Sequence, residues 1–240
     1  MKKSQPSRHE IVSQDLENKP TGLTSPGRRD FLKTAGMSAA GLALFAASCK
    51  KTNNNSNGIS FGTGDYAILN FAYALEQIEA AFYTKVSASY YAGITTDEQT
   101  LLSDIVKHEI VHREFFKIVL GSNAIPSLAA NQFNFSTIDF TSRSSVLMAA
   151  QAFEDLGVQA YNGAGSYIVN PAYLVVAGQI VSVEARHAAY LRDLNKPYSF
   201  ADSTLLDANA LEQSKKPRVV MAIAGAFVTV KFDISTLPNS

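Results

Sequence analysis

The sequence predicts an all-α protein, a four-helix bundle with a long crossover between its second and third helices. Three observations predict it. Four long segments repeat their apolar residues at the helical period, not in strand-like alternation. Short connections join the first segment to the second and the third to the fourth, while a long irregular stretch separates the second from the third. Finally, a segment with one glutamate on its apolar stripe, followed by a segment carrying Glu-x-x-His, occurs twice in the same order.

The first helix is expected over residues 65–86, with Asp65 as its N-cap and a stripe of Leu69, Ala72, Tyr73, Glu76, Ala80 and Tyr83. The second begins at Thr96, where Thr96-Asp97-Glu98-Gln99 has the form of a capping box. Its stripe is Leu102, Ile105, Glu109, His112, Phe116 and Val119, and Gly121 can end it. The third covers residues 142–163 and aligns Leu147, Ala150, Glu154, Val158 and Tyr161. Asn170-Pro171 is a favourable cap and first-turn pair for the fourth, whose stripe is Leu174, Ala177, Val181, Glu184, His187 and Leu191 and which stops before Pro197. Residues 122–141 form the crossover, with Phe133, Phe135 and Phe140 expected to pin it to the bundle. Beyond the fourth helix, residues 219–230 read as a short helix with an extended piece, and residues 233–240 as a loose tail.

The chain as a whole carries no net charge, and after residue 48 it holds fourteen basic and seventeen acidic side chains. That balance lacks the basic face nucleic acid would demand, so no nucleic-acid partner is expected. A single cysteine, Cys49, leaves no internal disulfide.

The first fifty residues read as an address. Arg28-Arg29-Asp30-Phe31-Leu32-Lys33 precedes a short stretch rich in Ala and Gly that ends Ala46-Ala47-Ser48-Cys49. Paired arginines ahead of such a segment resemble a twin-arginine export signal, with Gly27 where Ser or Thr is usual. Small residues directly before a lone cysteine resemble a lipoprotein cleavage box, with Ala46 where Leu is usual. The alternative is an ordinary signal peptide with an incidental cysteine. The expected organisation is a signal peptide over 1–48, a lipid-anchor cysteine and polar tether over 49–63, the bundle over 64–195, and a C-terminal extension packed on it over 196–240. The mature protein would be periplasmic and held to a membrane through acyl chains on Cys49.

The chemistry lies in the repeat. Glu76 stands seven residues before Tyr83 and Glu154 seven before Tyr161, while Glu109 and Glu184 each stand three before a histidine, His112 and His187. Glutamates on apolar stripes are buried, and a buried ionised carboxylate costs several kcal/mol unless paired or bound to metal. Four such groups in one core need protons or cations, and two divalent ions would balance them. Positions i and i+3 share a helix face, so each Glu-x-x-His can offer both side chains to one ion.

This constellation, with Leu75-Glu76-Gln77-Ile78-Glu79-Ala80-Ala81-Phe82-Tyr83 and Val183-Glu184-Ala185-Arg186-His187, resembles the ferritin-like superfamily, and within it the exported, desiccation-related ferritin-like proteins. The resemblance implies two divalent metal ions, iron or manganese. Glu76 and Glu154 would be terminal ligands, Glu109 and Glu184 would bridge, and His112 and His187 would each cap one ion. It implies a second shell of Tyr83 and Tyr161; Glu79, one turn after Glu76, is expected either to partner a histidine there or to enter the first shell, and His108 is expected beside the ligands. In bacterioferritin-like sites an Asp often precedes the Glu of each Glu-x-x-His and orients the opposite histidine; here His108 and Val183 hold those positions. The implied activity is an oxidoreductase acting on peroxide, dioxygen or ferrous iron. The alternative is a stress-related envelope protein that holds metal without turnover. A tethered chain argues against a closed iron-storing shell, and oligomeric state stays open.

His108-Glu109-Ile110-Val111-His112 also spells the H-E-x-x-H of zinc metalloproteases, in which His108 and His112 would bind zinc with Glu109 as base. That reading leaves Glu76, Glu154, Glu184 and His187 without a role.

Overall fold

Among the described residues, four long helices form the bundle: α1 (Asp65–Ala88), α2 (Thr96–Leu120), α3 (Arg143–Ala164) and α4 (Pro171–Asn195). A short fifth, α5 (Pro217–Ala224), follows, and two-residue strands β1 (Ile59–Ser60) and β2 (Phe232–Asp233) pair in parallel. The structure is a computed structural model that describes residues 58–238. The twin-arginine motif, the apolar stretch after it and Cys49 lie outside the described residues. Among the described residues, no helix is long and apolar enough to cross a membrane.

α1 packs along α2, α3 packs along α4, and α1 meets α3 at the centre. The short connections between the paired helices run each pair antiparallel. α5 lies against both α1 and α3. That cover explains why α1 is buried almost continuously from Ala67 to Ala80, on all faces and not on one stripe. α4 shows the opposite: its expected stripe begins at Leu174, yet that residue is 45% exposed, and burial sets in only at Ile180.

The caps follow local chemistry with two corrections. Asp65 is the first residue of α1 and not its cap, which is Gly64 at φ +58°. The Asp65 carboxylate instead accepts the N–H groups of Val169 and Asn170, both at 2.8 Å, and so ties α1 to the start of α4. The capping box of α2 sits one residue earlier than expected: Thr95 Oγ1 accepts from Glu98 N–H, and Glu98 Oε2 accepts from Thr95 N–H. The other oxygen of Glu98 accepts from Arg143 Nε at 2.7 Å, joining the cap of α2 to the first turn of α3. Ser142 and Asn170 cap α3 and α4 as their residue types predict.

The crossover over residues 121–142 is pinned by aromatic rings. Phe135 is buried and meets Phe82, Phe133, Phe140, Phe153 and Phe227. Phe227 belongs to the C-terminal extension, whose backbone also bonds the crossover through Asn134 N–H to the Phe227 carbonyl and Thr229 N–H to the Gln132 carbonyl. Gly163 lets the extension close on α3: a Cβ there would stand 1.9 Å from the Lys215 carbonyl oxygen. The tail is not loose over its described part. Leu237 is buried, and Arg218 donates to the carbonyls of Leu237 and Ser235.

Candidate metal centre

Each of the four long helices delivers one glutamate to the centre of the bundle: Glu76 from α1, Glu109 from α2, Glu154 from α3 and Glu184 from α4. Glu76 and Glu109 are both 0% exposed. His112 and His187 arrive one turn after Glu109 and Glu184, as the Glu-x-x-His spacing requires.

The atoms sort into two overlapping groups. Ligand atoms of Glu76, Glu109, His112 and Glu184 lie within 4.8 Å of one another, and so do those of Glu109, Glu154, Glu184 and His187. Glu109 and Glu184 belong to both. His112 Nδ1 faces Glu184 Oε1 at 2.7 Å, Glu76 Oε2 at 3.6 Å and Glu109 Oε2 at 3.8 Å. His187 Nδ1 faces Glu184 Oε2 at 3.0 Å, Glu109 Oε1 at 3.1 Å and Glu154 Oε2 at 3.3 Å. Each shared carboxylate thus turns one oxygen to each histidine, while Glu76 and Glu154 turn one oxygen to a single histidine.

The second oxygens of Glu76 and Glu154 are held from behind, crosswise. Tyr83 on α1 donates to Glu154 Oε1 at 2.6 Å, and Tyr161 on α3 donates to Glu76 Oε1. The seven-residue spacing explains the exchange: on each inner helix Glu and Tyr sit two turns apart on one face, and the antiparallel neighbour presents its pair in reverse.

Several inward atoms have no hydrogen-bond partner: Glu76 Oε2, both oxygens of Glu109, His112 Nδ1 and Glu184 Oε1. His112 Nδ1 and Glu184 Oε1 approach to 2.7 Å without the angles of a hydrogen bond. Buried polar atoms are ordinarily paired. Orphans concentrated on one point, with oxygen and imidazole lone pairs converging, are what a divalent cation would satisfy, so the residues present fit metal.

Proton affinities follow from the burial of so many carboxylates together. Burial pushes the carboxyls of Glu76 and Glu79 well up, helped by the neighbouring carboxylates. Burial, then the charge of Glu109, raises Glu154 to about 8. Burial also presses on Glu109, but contacts with His112 and His187 outweigh it and hold that group down at about 2. Burial works against the charged form of both histidines, yet their carboxylate contacts carry each to about 12.

The model of the ferritin-like domain family matches residues 64–197, more than half of the chain and all four long helices. The chain belongs to the ferritin-like domain family. No curated protein matches it. This ferritin-like domain holds a buried cluster of carboxylates and imidazoles compatible with divalent metal ions.

The structure gives two of the residues expected beside the ligands, His108 and Glu79, their contacts. His108 Nδ1 lies 2.9 Å from His187 Nε2, so the residue before Glu109 reaches across to the opposite helix. Among the described residues, His108 and His112 share no metal-capable group; His112 groups instead with Glu76, Glu109 and Glu184. Glu79, a further buried carboxylate beside the cluster, lies against Gly157, where a Cβ would meet Glu79 Oε1 at 3.0 Å. Glu79 follows Glu76 by three residues and Gly157 follows Glu154 by three, so the repeat itself carried that signal: one half keeps a side chain where the other clears the space.

Proposed function

We propose that this chain is an exported dimetal-carboxylate protein that works as an oxidoreductase on peroxide, dioxygen or ferrous iron. The observation that carries the reading is the sharing of Glu109 and Glu184 between the two groups of ligand atoms. Carboxylates that offer one oxygen to each of two positions suit bridging ligands, with Glu76 and His112 completing one position and Glu154 and His187 the other. Four carboxylates balance two divalent ions, iron or manganese. A bound pair would supply electrons to an oxygen–oxygen bond, and with ferrous iron as substrate the oxidant would be dioxygen or peroxide.

The protein's own residues would set the conditions for that exchange. Tyr83 and Tyr161 hold the terminal carboxylates by one oxygen and leave the other facing the cluster. The aromatic and aliphatic core keeps bulk water from the cluster. His112, whose side chain is 12% exposed, marks where a small oxidant reaches it. Export through the twin-arginine route and anchoring through Cys49 would place the protein in the periplasm at a membrane surface.

The closure of the site favours a second reading, in which metal is held without turnover as part of an envelope stress response. Full-length protein reconstituted with iron or manganese and then desalted separates the readings. Two ions per chain with peroxide consumption or ferrous oxidation above buffer supports the first. Two ions without either activity supports the second. Less than one ion per chain sinks both.

A further inference from the structure

His108 stands outside both candidate metal groups, on the solvent side of α2. Its ring nevertheless crosses to α4, with Nδ1 2.9 Å from His187 Nε2 and the two ring planes only 9° apart. His187 turns its other nitrogen, Nδ1, to Glu109, Glu154 and Glu184. With a cation on the Nδ1 lone pair, Nε2 carries the ring hydrogen, and His108 Nδ1 is placed to accept it. The bond fixes the tautomer that presents the Nδ1 lone pair to the cluster, and it fixes the plane of the ring. Loss of such an outer contact typically weakens metal binding 10- to 100-fold.

The internal repeat shows that only one half has this brace. Overlaying the halves sets Glu109 on Glu184, His112 on His187, and therefore His108 on Val183. Val183 is half-buried and offers hydrocarbon where His108 offers a ring nitrogen. The sharing of Glu109 and Glu184 is otherwise even between the two groups, and the tyrosine contacts to Glu154 and Glu76 are reciprocal. The brace on His187 is thus a difference between two positions that are alike in their ligand types.

We infer that His108 is a positioning residue that makes the two metal positions unequal: the position formed by Glu109, Glu154, Glu184 and His187 fills first, and the position formed by Glu76, Glu109, Glu184 and His112 fills second. This rests on the metal-centre reading of the cluster and adds to it an order of filling. His108 acts through His187 and touches no ion.

The test is a titration of the metal-free, full-length chain with cobalt(II) at fixed pH, in competition with a chromophoric chelator, while the d–d absorption of protein-bound cobalt is followed. Wild type is expected to bind in two steps, the first tighter. In His108→Ala the first step weakens 10- to 100-fold, the second holds, and the first-step spectrum changes as the imidazole loses its fixed plane. His108→Asn, whose side-chain oxygen accepts the same hydrogen bond, recovers most of the affinity and the spectrum. Substitution at this solvent-facing position leaves the core untouched, so an unchanged melting temperature accompanies the expected result. Two steps weakened equally in His108→Ala, or neither weakened, overturns the inference while leaving a metal centre in place. A wild-type chain that binds no cobalt overturns the inference together with the reading beneath it.

Discussion

Gly163→Ala is expected to destabilise the chain although it improves the helix it sits in. An alanine Cβ at this position in α3 would stand 1.9 Å from the carbonyl oxygen of Lys215 and 2.6 Å from its carbon. Even a close C···O contact needs ~3.4 Å, so the C-terminal extension must retreat by about 1.5 Å. That retreat breaks the bond from Lys215 N–H to the Gln159 carbonyl, now 2.9 Å. One lost backbone hydrogen bond costs about 1 kcal/mol and the forced overpacking about 1–3 kcal/mol, against a gain of about 1 kcal/mol in helix propensity. The net loss is about 1–3 kcal/mol. Gly178 in α4 is the control, because a Cβ there meets nothing within 4 Å. Gly178→Ala should gain about 0.5–1 kcal/mol from propensity alone. Urea unfolding of the metal-free protein measures both, provided the slope stays constant. If Gly163→Ala matches or exceeds wild type while Gly178→Ala stabilises, the extension does not close on α3 as described.

Three further outcomes concern the site and the proposed anchor. Groups raised in the folded state (Glu76, Glu79, Glu154 at about 8, His112 and His187 at about 12) contribute stability that is present below their ordinary values and drains away as pH rises. Glu109, held at about 2, contributes stability above its ordinary value of 4.5 that is lost as pH falls. The metal-free chain should therefore melt at a higher temperature near pH 5 than near pH 8, and manganese(II) should invert that order by replacing the protons; thermal melts with and without the ion decide it, and a metal-free chain that gains stability toward pH 8 contradicts the account. Tyr83→Phe and Tyr161→Phe each strip a donor from a buried carboxylate and should cost the metal-free protein about 1–3 kcal/mol, with equal losses expected from the reciprocal geometry; denaturation midpoints indistinguishable from wild type would show that these bonds do not hold Glu154 and Glu76. On the proposed export and anchoring, Cys49→Ser should move the protein from the membrane fraction to the soluble periplasm; fractionation and fatty-acid labelling that leave wild type and variant alike would contradict the anchor.

The four helices and the register of Glu76, Glu109, His112, Glu154, Glu184 and His187 were legible in the chain, because both depend on the 3.6-residue period and on spacings within one segment. The twofold repeat added that all four stripes face one another, since a stripe carrying a carboxylate in each of four helices has only one place to share cations. The same locality explains the misplaced caps: Thr95 and Thr96 are adjacent threonines before an acidic turn, and only the backbone geometry at Thr95 selects between them. Asp65 was read as a cap because its sequence context is that of one, but the N–H groups of Val169 and Asn170 approach from a distant segment and take its oxygens.

What the tertiary structure alone decided lies between helices. Which oxygen of Glu109 faces which histidine, the crosswise tyrosines, the passage of His108 to His187 and the clearance of Gly157 for Glu79 all depend on how four helices are rotated and spaced, and no local pattern carries that information. The C-terminal extension follows the same rule: its burial comes from the backbone of residue 215 meeting a glycine and from Phe227 joining the crossover's rings, contacts between segments distant in the chain. The sequence by itself put glutamates and histidines on the four apolar stripes. The packing determined that they converge, and that the two halves of the repeat, alike in ligands, differ in what stands behind one histidine.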